Sequence, residues 1–380
     1  TIGTRNYAAE KKLLLRIEQV GTALDREKAK GKAAQSPLIE RLTAELTALH
    51  KQQRRFTISN EIDRLYSESG AVGLNASTGQ DLTTYQVSIP ANRIELWARI
   101  EADRMVNPVF REFYTERDVV MEERRQRSES DPEGKLLESY LAAAFISHPY
   151  RRPILGWPSD MRNLDIAYMS KYFRNRHAPN NTVIAMVGDL QPSTALKIVE
   201  KYFSRIPAQK LTSPPITEEQ RQSGERRVEV IFDAEPQMII GYHKPPPPVF
   251  ADYIFDIIES ILTKGRTSRL FKTLIQEKGV AESIQAENGL PGARYPNQFV
   301  IFATPRHPHT LGELEQAVYQ EIERLKREPV SDSELEKVKN QIRADFIRGL
   351  DSNAGLARML SYHEALLGDY RYLAEYTATI

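Results

Sequence analysis

The ten residues 115–124, TERDVVMEER, carry two glutamates whose spacing suits a binding site. Glu116 and Glu123 are seven residues apart. On an α-helix this spacing is within about 20° of two full turns, so both side chains leave the same face. Charges of both signs crowd the segment, and such runs most often form a solvated helix face. Two interpretations therefore stay open at this point: a solvated surface, and a pair of functional carboxylates.

The composition excludes several classes of function. The chain has 380 residues, a net charge of +1 and no cysteine. Its length predicts two domains, or three. The balanced charge gives no overall attraction to nucleic acid or to anionic membranes, and no run of apolar residues is long enough to span a bilayer. Without cysteine there is no disulfide, no Cys-ligated metal and no thiol nucleophile.

Apolar spacing predicts helices first and strands afterwards. Residues 8–31 and 37–54 form a charged helical hairpin, with a third helix over 58–68. From Gly70 the period changes to that of two strands around a turn, which the Glu116/Glu123 helix follows. The run NTVIAMVGDL at 181–190 predicts a buried strand.

A break in this pattern predicts a domain boundary. Residues 206–226 combine prolines and polar residues without periodicity, which is typical of a linker. The boundary separates a first domain, 1–205, from a second, 227–380. The second domain begins with strands predicted at 227–233 and 237–243.

The second half repeats the order of the first. A glycine, two strands, a helix and a second, Glu-containing helix occur from Gly70 and again from Gly279. In this register Glu116 is equivalent to Glu334, whereas Glu123 is equivalent to Gln341. Glutamine keeps the shape of glutamate but removes the charge that a bound cation requires. The difference therefore favours a functional Glu123.

Several segments together carry a resemblance that covers nearly the whole chain. They are GTRNY at 3–7, GLNAST at 73–78, ERDVVMEE at 116–123, HPYRRPILG at 148–156, NNTVIAMVGDL at 180–190 and KGRTSRL at 264–270. In this order they resemble the inverzincin metallopeptidases, the pitrilysin and insulinase group. The resemblance implies an α+β fold of two homologous α/β domains. Each would be an antiparallel sheet with helices packed on one side, and the hairpin at about 8–54 would be an insertion.

The resemblance also implies a Zn²⁺ site and a substrate edge. In the family two histidines of an H-x-x-E-H helix and a later glutamate hold the zinc, and that glutamate matches Glu123. Glu116 matches a residue that supports a zinc-ligating histidine. Bound zinc lowers the pKa of its water toward ~7 for peptide hydrolysis. Substrate would add as a strand along Asn75, Ala76, Ser77 and Thr78.

The H-x-x-E-H motif itself does not occur in this sequence. None of the seven histidines has a partner at that spacing: His50, His148, His177, His243, His307, His309 and His363. The resemblance places the motif, with the general base and both histidine ligands, upstream of Thr1. It also implies that the second domain continues beyond residue 380.

One departure from the family pattern bears on partners. In LIQEKGVAES at 274–283, Ile275 and Glu282 occupy positions where many relatives carry an Arg and a Tyr that hold substrate. We therefore expect a dimer, either a heterodimer with a zinc-free homologue or a homodimer. The expected function is a zinc-dependent endopeptidase acting on peptides or unfolded segments inside a clamshell. The alternative is a catalytically inactive homologue that serves as scaffold or substrate-binding partner. Bacterial relatives imply a periplasmic or otherwise exported location.

Overall fold

The computed structural model describes residues 2–211 and 215–380, which divide into two compact units. The first unit comprises Thr1–Ala76, Tyr85–Glu123 and Leu155–Pro214. The second comprises Ser77–Thr84, Arg124–Ile154 and Pro215–Ile380. The predicted boundary at 206–226 stays a prediction, and its residues 212–214 lie outside the described part. No helix in the described ranges combines the length and the apolar composition that crossing a bilayer requires.

The first unit is mainly helical. Its helices are α1 (Tyr7–Ala29), α2 (Ser36–Gln53), α3 (Glu61–Glu68), α4 (Ile94–Val106), α5 (Phe113–Arg124), α7 (Pro158–Arg162), α8 (Ile166–Arg176) and α9 (Pro192–Phe203). The antiparallel hairpin predicted over 8–31 and 37–54 is confirmed by α1 and α2. Its helices meet through one apolar stripe, which contains the buried residues Ile17, Val20, Leu24, Leu42 and Leu49.

A buried ion pair fixes the start of α1. Glu10 is fully buried, and its Oε1 accepts hydrogen bonds from Arg111 Nε at 2.7 Å and from Gln53 Nε2 at 3.4 Å. Gln53 Nε2 also lies 3.5 Å from the carbonyl oxygen of Arg111. The pair thus joins both helices of the hairpin to the loop that precedes α5. A buried charge is stable only with such partners, so breaking this contact would strongly destabilise the folded state.

Two strands form a hairpin whose chain runs from the first unit into the second and back. Strand β1 (Val72–Thr78) pairs with β2 (Thr83–Ser88) in a two-stranded sheet. All seven residues of β1 are exposed. The hairpin predicted after Gly70 is therefore confirmed, but no apolar core lies beneath its first strand.

The second unit is built on a three-stranded antiparallel sheet of order β3–β5–β4. Its strands are β3 (Met238–Lys244), β4 (Ala281–Leu290) and β5 (Asn297–Pro305). The central strand pairs on both sides, with Ile240 and Ala286 both opposite Ile301. Val300 and Ile301 point to opposite faces of the sheet and are both fully buried, so both faces of this strand are covered.

The helices of the second unit pack against this sheet or against one another. They are α6 (Pro132–Ala144), α10 (Phe250–Thr263), α11 (Leu311–Arg327), α12 (Asp332–Gly349), α13 (Asn353–Leu367) and α14 (Tyr372–Thr379), with a π-helical segment at Phe271–Glu277. Leu270, Leu274, Leu314 and Val318 are fully buried against β4 and β5. A mixed helix and antiparallel-sheet fold results, which confirms the predicted α+β class.

The element order repeats as the sequence predicts. Two strands and two helices follow Gly70 as β1, β2, α4 and α5, and follow Gly279 as β4, β5, α11 and α12. Both glycines have positive φ, 82° and 64°, a backbone region that other residues rarely enter. The same turn chemistry therefore precedes the first strand of each copy.

Two predicted strands are wrong. The strands predicted at 181–190 and 227–233 do not form in the described part of the chain. Val183 and Ile184 are 37% and 36% exposed, and Ile231 is 96% exposed. An apolar run becomes a strand only where a neighbour accepts and donates its backbone hydrogen bonds, and neither segment has such a ladder here.

Asp256 on α10 is the centre of a buried polar network. Its Oδ1 accepts from Asn288 Nδ2 at 2.7 Å, and its Oδ2 accepts from the Tyr376 hydroxyl at 2.8 Å. Burial raises the pKa of Asp256 to about 6, although both hydrogen bonds lower it; the acidic neighbours Asp252 and Glu259 add to the rise. Both donors are neutral groups, so the carboxylate has no cation to hold its charge.

We predict that Glu10→Gln lowers the free energy of unfolding of the first unit by about 3 kcal/mol, because it leaves Arg111 without its anion. Both tryptophans, Trp97 and Trp157, lie in the first unit. Urea unfolding followed by tryptophan fluorescence therefore measures this change. Glu40→Gln, at an exposed position of α2, is the matched control and should leave the midpoint unchanged. Equal midpoints for both variants would contradict the prediction.

We predict that the second unit loses stability as the pH rises from about 4 to about 6. The folded state binds the Asp256 proton more tightly than the unfolded chain, because the pKa is higher in the folded state. The loss amounts to about 3 kcal/mol, and Asp256→Asn abolishes it. Hydrogen exchange of β5 amides at both pH values measures the change. Asp351→Asn, an exposed position in the same unit, should retain the wild-type dependence.

Candidate functional site

Helix α5 is held firmly on one side. Phe113 and Tyr114 are buried against the α1–α2 hairpin. Arg117 makes a two-point ion pair with Asp25, with Nη1 and Nη2 at 2.7 and 2.9 Å from the carboxylate oxygens. Its Nη1 also donates to the carbonyl oxygen of Leu164 at 3.0 Å. Bidentate pairs fix orientation as well as distance, so the rotation of α5 about its axis is set.

The two glutamates lie on the less buried side of this helix. Glu116 is exposed, Val119 is 53% exposed, and Glu123 is half-buried. Because α5 is continuous over Phe113–Arg124, the two-turn spacing of Glu116 and Glu123 places both on one face. The helix and the shared face are thus as expected, while the roles of the two residues stay predictions.

The equivalent helix of the second half uses its glutamate differently. Glu334 on α12 forms a two-point ion pair with Arg269, at 2.9 and 2.6 Å. This pair lowers the pKa of Glu334. Two turns further on, Gln341 stands where α5 has Glu123. The copy in the second unit therefore has one glutamate committed to an ion pair and no carboxylate at the position equivalent to Glu123.

The histidines are dispersed and engaged in local contacts. His148 Nδ1 accepts from the backbone N–H of Tyr150, His177 bonds to the Tyr85 hydroxyl, and His243 bonds to the carbonyl oxygen of Ala144. Burial lowers the pKa of all three imidazoles. His50 lies on α2 and His363 on α13, whereas His307 and His309 lie in the loop before α11.

The metal-ligating side chains in the described part of the chain do not assemble a zinc site. Zinc in peptidases takes three protein ligands, of histidine and carboxylate type. Among residues 2–211 and 215–380, no three His, Asp or Glu side chains come together in a group able to hold a metal ion. Glu123 is a carboxylate of suitable type but belongs to no such group in the described ranges, so we derive no catalytic step through zinc from this chain.

The four predicted substrate residues lie together on β1. Asn75, Ala76, Ser77 and Thr78 are all exposed. Across the hairpin, Ser77 Oγ lies 2.7 Å from Thr84 Oγ1, and Thr78 Oγ1 lies 3.3 Å from Thr83 Oγ1. Since β1 pairs only with β2 in the described sheet, its other edge is open for a further strand.

The two positions that depart from the family pattern, Ile275 and Glu282, lie in different environments. Ile275 packs against the apolar core of the second unit, and Glu282 is an exposed residue of β4. Neither offers the arginine or tyrosine side chain that relatives are expected to have there.

Two carboxylates of the second unit that the sequence did not single out accept several hydrogen bonds each. Asp81 follows β1 and bonds to Tyr150 and to the backbone at 293–294. Glu219 accepts from the successive backbone N–H groups of Ile146, Ser147 and His148 at 2.9 to 3.0 Å. Burial raises the pKa of Glu219, but these N–H groups bring it down to about 2. The partners of these carboxylates are so distant in the sequence that no local pattern of residues indicates the contacts.

Comparisons with known proteins agree with this fold. The family described as Insulinase (Peptidase family M16) matches residues 43–157, and the Peptidase M16 inactive domain matches 163–342. The zinc protease PqqE of Helicobacter pylori is 26% identical over 344 residues, 88% of this chain and 75% of that protein. An uncharacterized zinc protease of Mycobacterium leprae is 26% identical over 309 residues, 79% of this chain and 68% of its own length.

A solved structure is similar to this chain in fold. A protease from Helicobacter pylori superposes with a TM-score of 0.77 at 24% identity and covers 84% of this chain and 78% of its own. The two family matches follow one another along the chain, in the order of the two halves of the repeat. By these matches the chain belongs to the insulinase family of peptidases, M16.

Proposed function

We propose that this chain is the polypeptide-binding body of a zinc-dependent endopeptidase. Peptides or unfolded segments add as a strand to β1 along Asn75–Thr78, and Glu123 is the carboxylate that the chain contributes to the zinc. The two histidine ligands and the general base are residues that this sequence does not contain. Glu116 supports one of those histidines.

The open edge of β1 is the observation that carries the proposal. Every residue of β1 is exposed, and the strand has one neighbour in the described sheet. An extended peptide can therefore hydrogen-bond along this edge without displacing any packed side chain, and at Ala76 it would replace the bond of the backbone N–H to Asn75 Oδ1, 2.9 Å away. Main-chain bonding of this kind is tolerant of sequence, which suits a peptidase that accepts unfolded segments.

The metal part of the proposal is supported by Glu123 and by the names of relatives. Glu123 lies on the less buried face of a helix that the ion pair of Arg117 with Asp25 fixes from another side. Proteins similar to this chain in Helicobacter pylori and Mycobacterium leprae are named zinc proteases. A rigidly mounted carboxylate is what a metal site needs, because ligand geometry must hold within a fraction of an ångström.

A second function is favoured by a different observation. No group of three metal-ligating side chains exists in the described ranges, and the longer family match is to an inactive domain. Both fit a zinc-free homologue that binds substrate or supports an active subunit. The two functions share the peptide edge and differ in the metal.

We also propose that the chain works together with a partner subunit. Ile275 and Glu282 replace the expected substrate-holding pair, so a second subunit, zinc-free homologue or second copy, would supply it. A periplasmic or otherwise exported location belongs to the same proposal.

We predict that the natural subunit binds about one zinc per chain, and that Glu123→Gln removes it, because the amide cannot replace an anionic ligand. Metal content of the protein purified from its native source, and of the variant made in the same background, measures this. Glu122→Gln changes the neighbouring carboxylate, about 100° away around the helix, and should keep the zinc. Absence of zinc in the natural subunit would overturn the peptidase and leave the zinc-free homologue.

We predict that the chain binds a blocked peptide of about ten residues in alternating valine and threonine, with a lysine at each end. Fluorescence anisotropy measures the dissociation constant. The control peptides carry N-methyl groups on alternate residues, in the two possible sets. One set faces β1 and should abolish binding, because it removes the donors; the other should bind as the parent does. Equal binding by both methylated sets would contradict strand addition.

A further inference from the structure

The hairpin β1–β2 lacks the support that strands usually have. An isolated two-stranded hairpin is marginally stable in water, and burial of one face normally sets its register. Here β1 is exposed throughout, and only two residues of β2 are partly buried. Besides the bond between the hydroxyl of Tyr85, on β2, and His177, the conformation of the hairpin therefore depends on contacts at its ends.

The turn end of the hairpin is held by one carboxylate. Tyr150 donates its hydroxyl to Asp81, at 2.8 and 2.9 Å from the two oxygens. Asp81 Oδ2 also accepts from the backbone N–H groups of Ala293 at 2.8 Å and Arg294 at 3.1 Å. Asp81, Tyr150 and the loop 291–295 all belong to the second unit, as do Ser77 and Thr78.

The geometry around this carboxylate is close-packed. A Cβ on Gly292 would come within 2.7 Å of the Tyr150 hydroxyl and still nearer to Asp81 Oδ2, so the loop approaches only because that residue is glycine. Beside it, Gln80 Nε2 donates to the carbonyl oxygen of Arg152 at 2.8 Å. Burial and the neighbouring Asp81 raise the pKa of Tyr150, which keeps its hydroxyl a donor.

We propose that Asp81 and Tyr150 are positioning residues for the peptide edge. By fixing the turn 79–82 they hold Ser77 and Thr78 in extended, paired conformation before a peptide arrives. Ordering the edge in advance removes an entropic cost from binding, so affinity depends on a carboxylate that does not touch the peptide. This inference rests on the proposed function, since it assigns a role in binding at the same edge.

The test measures turn order and peptide affinity separately, on the full chain. The amide of Gly79 donates to the carbonyl oxygen of Leu82 across the turn at 2.9 Å, so its hydrogen exchange reports the turn directly. Asp81→Asn should speed exchange of Gly79 and weaken binding of the valine–threonine peptide about tenfold. Tyr150→Phe removes one donor and should have a smaller effect in the same direction, about threefold.

Two controls separate positioning from loss of structure. Asp351→Asn makes the same chemical change at an exposed position of the second unit and should alter neither measurement. The amides of Val300 and Ile301 in β5 report the core of that unit, and their exchange should stay at the wild-type rate in every variant used. If Asp81→Asn fails to fold by this criterion, Tyr150→Phe decides.

The outcomes are distinct. Faster Gly79 exchange together with weaker binding supports the inference. Faster exchange with unchanged affinity overturns the positioning role, and unchanged exchange overturns the clamp itself. If the wild-type chain does not bind the peptide, strand addition and the positioning role fall together, whereas Gly79 exchange still shows whether Asp81 holds the turn.

Discussion

Backbone hydrogen bonding to a neighbour is the constraint on which the strands of this chain depend. Strand β5 has a neighbour on each side, and the apolar core of the second unit is packed on it. Strand β1 has one neighbour and no core beneath it. Residues 182–187 and 227–233 have none in the described part and stay irregular despite their apolar side chains. Strand β1 is thus intermediate, because it is paired on one edge only. A further strand can still pair with its free edge.

Two carboxylates of the second unit, Glu219 and Asp256, have pKa values shifted in opposite directions. Glu219 lies among three backbone N–H groups and beside Arg226, and its pKa falls in spite of burial. Asp256 has neutral donors and acidic neighbours, and its pKa rises. A chain with 52 basic and 51 acidic residues has no net field to decide such cases. The local hydrogen-bond donors determine these pKa shifts. Glu219 therefore stays an anion near neutral pH, whereas Asp256 makes the second unit sensitive to pH.

Helices, repeat and family could be predicted from the sequence because they depend on local spacing. The α1–α2 hairpin follows from apolar residues three and four apart, and the glycines before β1 and β4 follow from turn chemistry. The strand predicted at 181–190 failed because an apolar run indicates the ability to be buried and carries no information about a pairing partner. In the candidate site, the seven-residue spacing located Glu116 and Glu123 on one face. The contact of Asp81 with Tyr150, 69 residues away, had no periodic signal to find it by.

The duplicated helix bears on where any chemistry of this chain would lie. In the second unit Glu334 is committed to Arg269, and Gln341 follows two turns later, so α12 is used for packing and for an ion pair. In the first unit Glu116 is exposed and a second carboxylate, Glu123, follows it. A helix needed only as a structural support would be served by the same arrangement in both copies. The two copies keep the first glutamate and differ at the second position, Glu123 against Gln341, which supports the proposal that α5 contributes to a cation site and α12 does not.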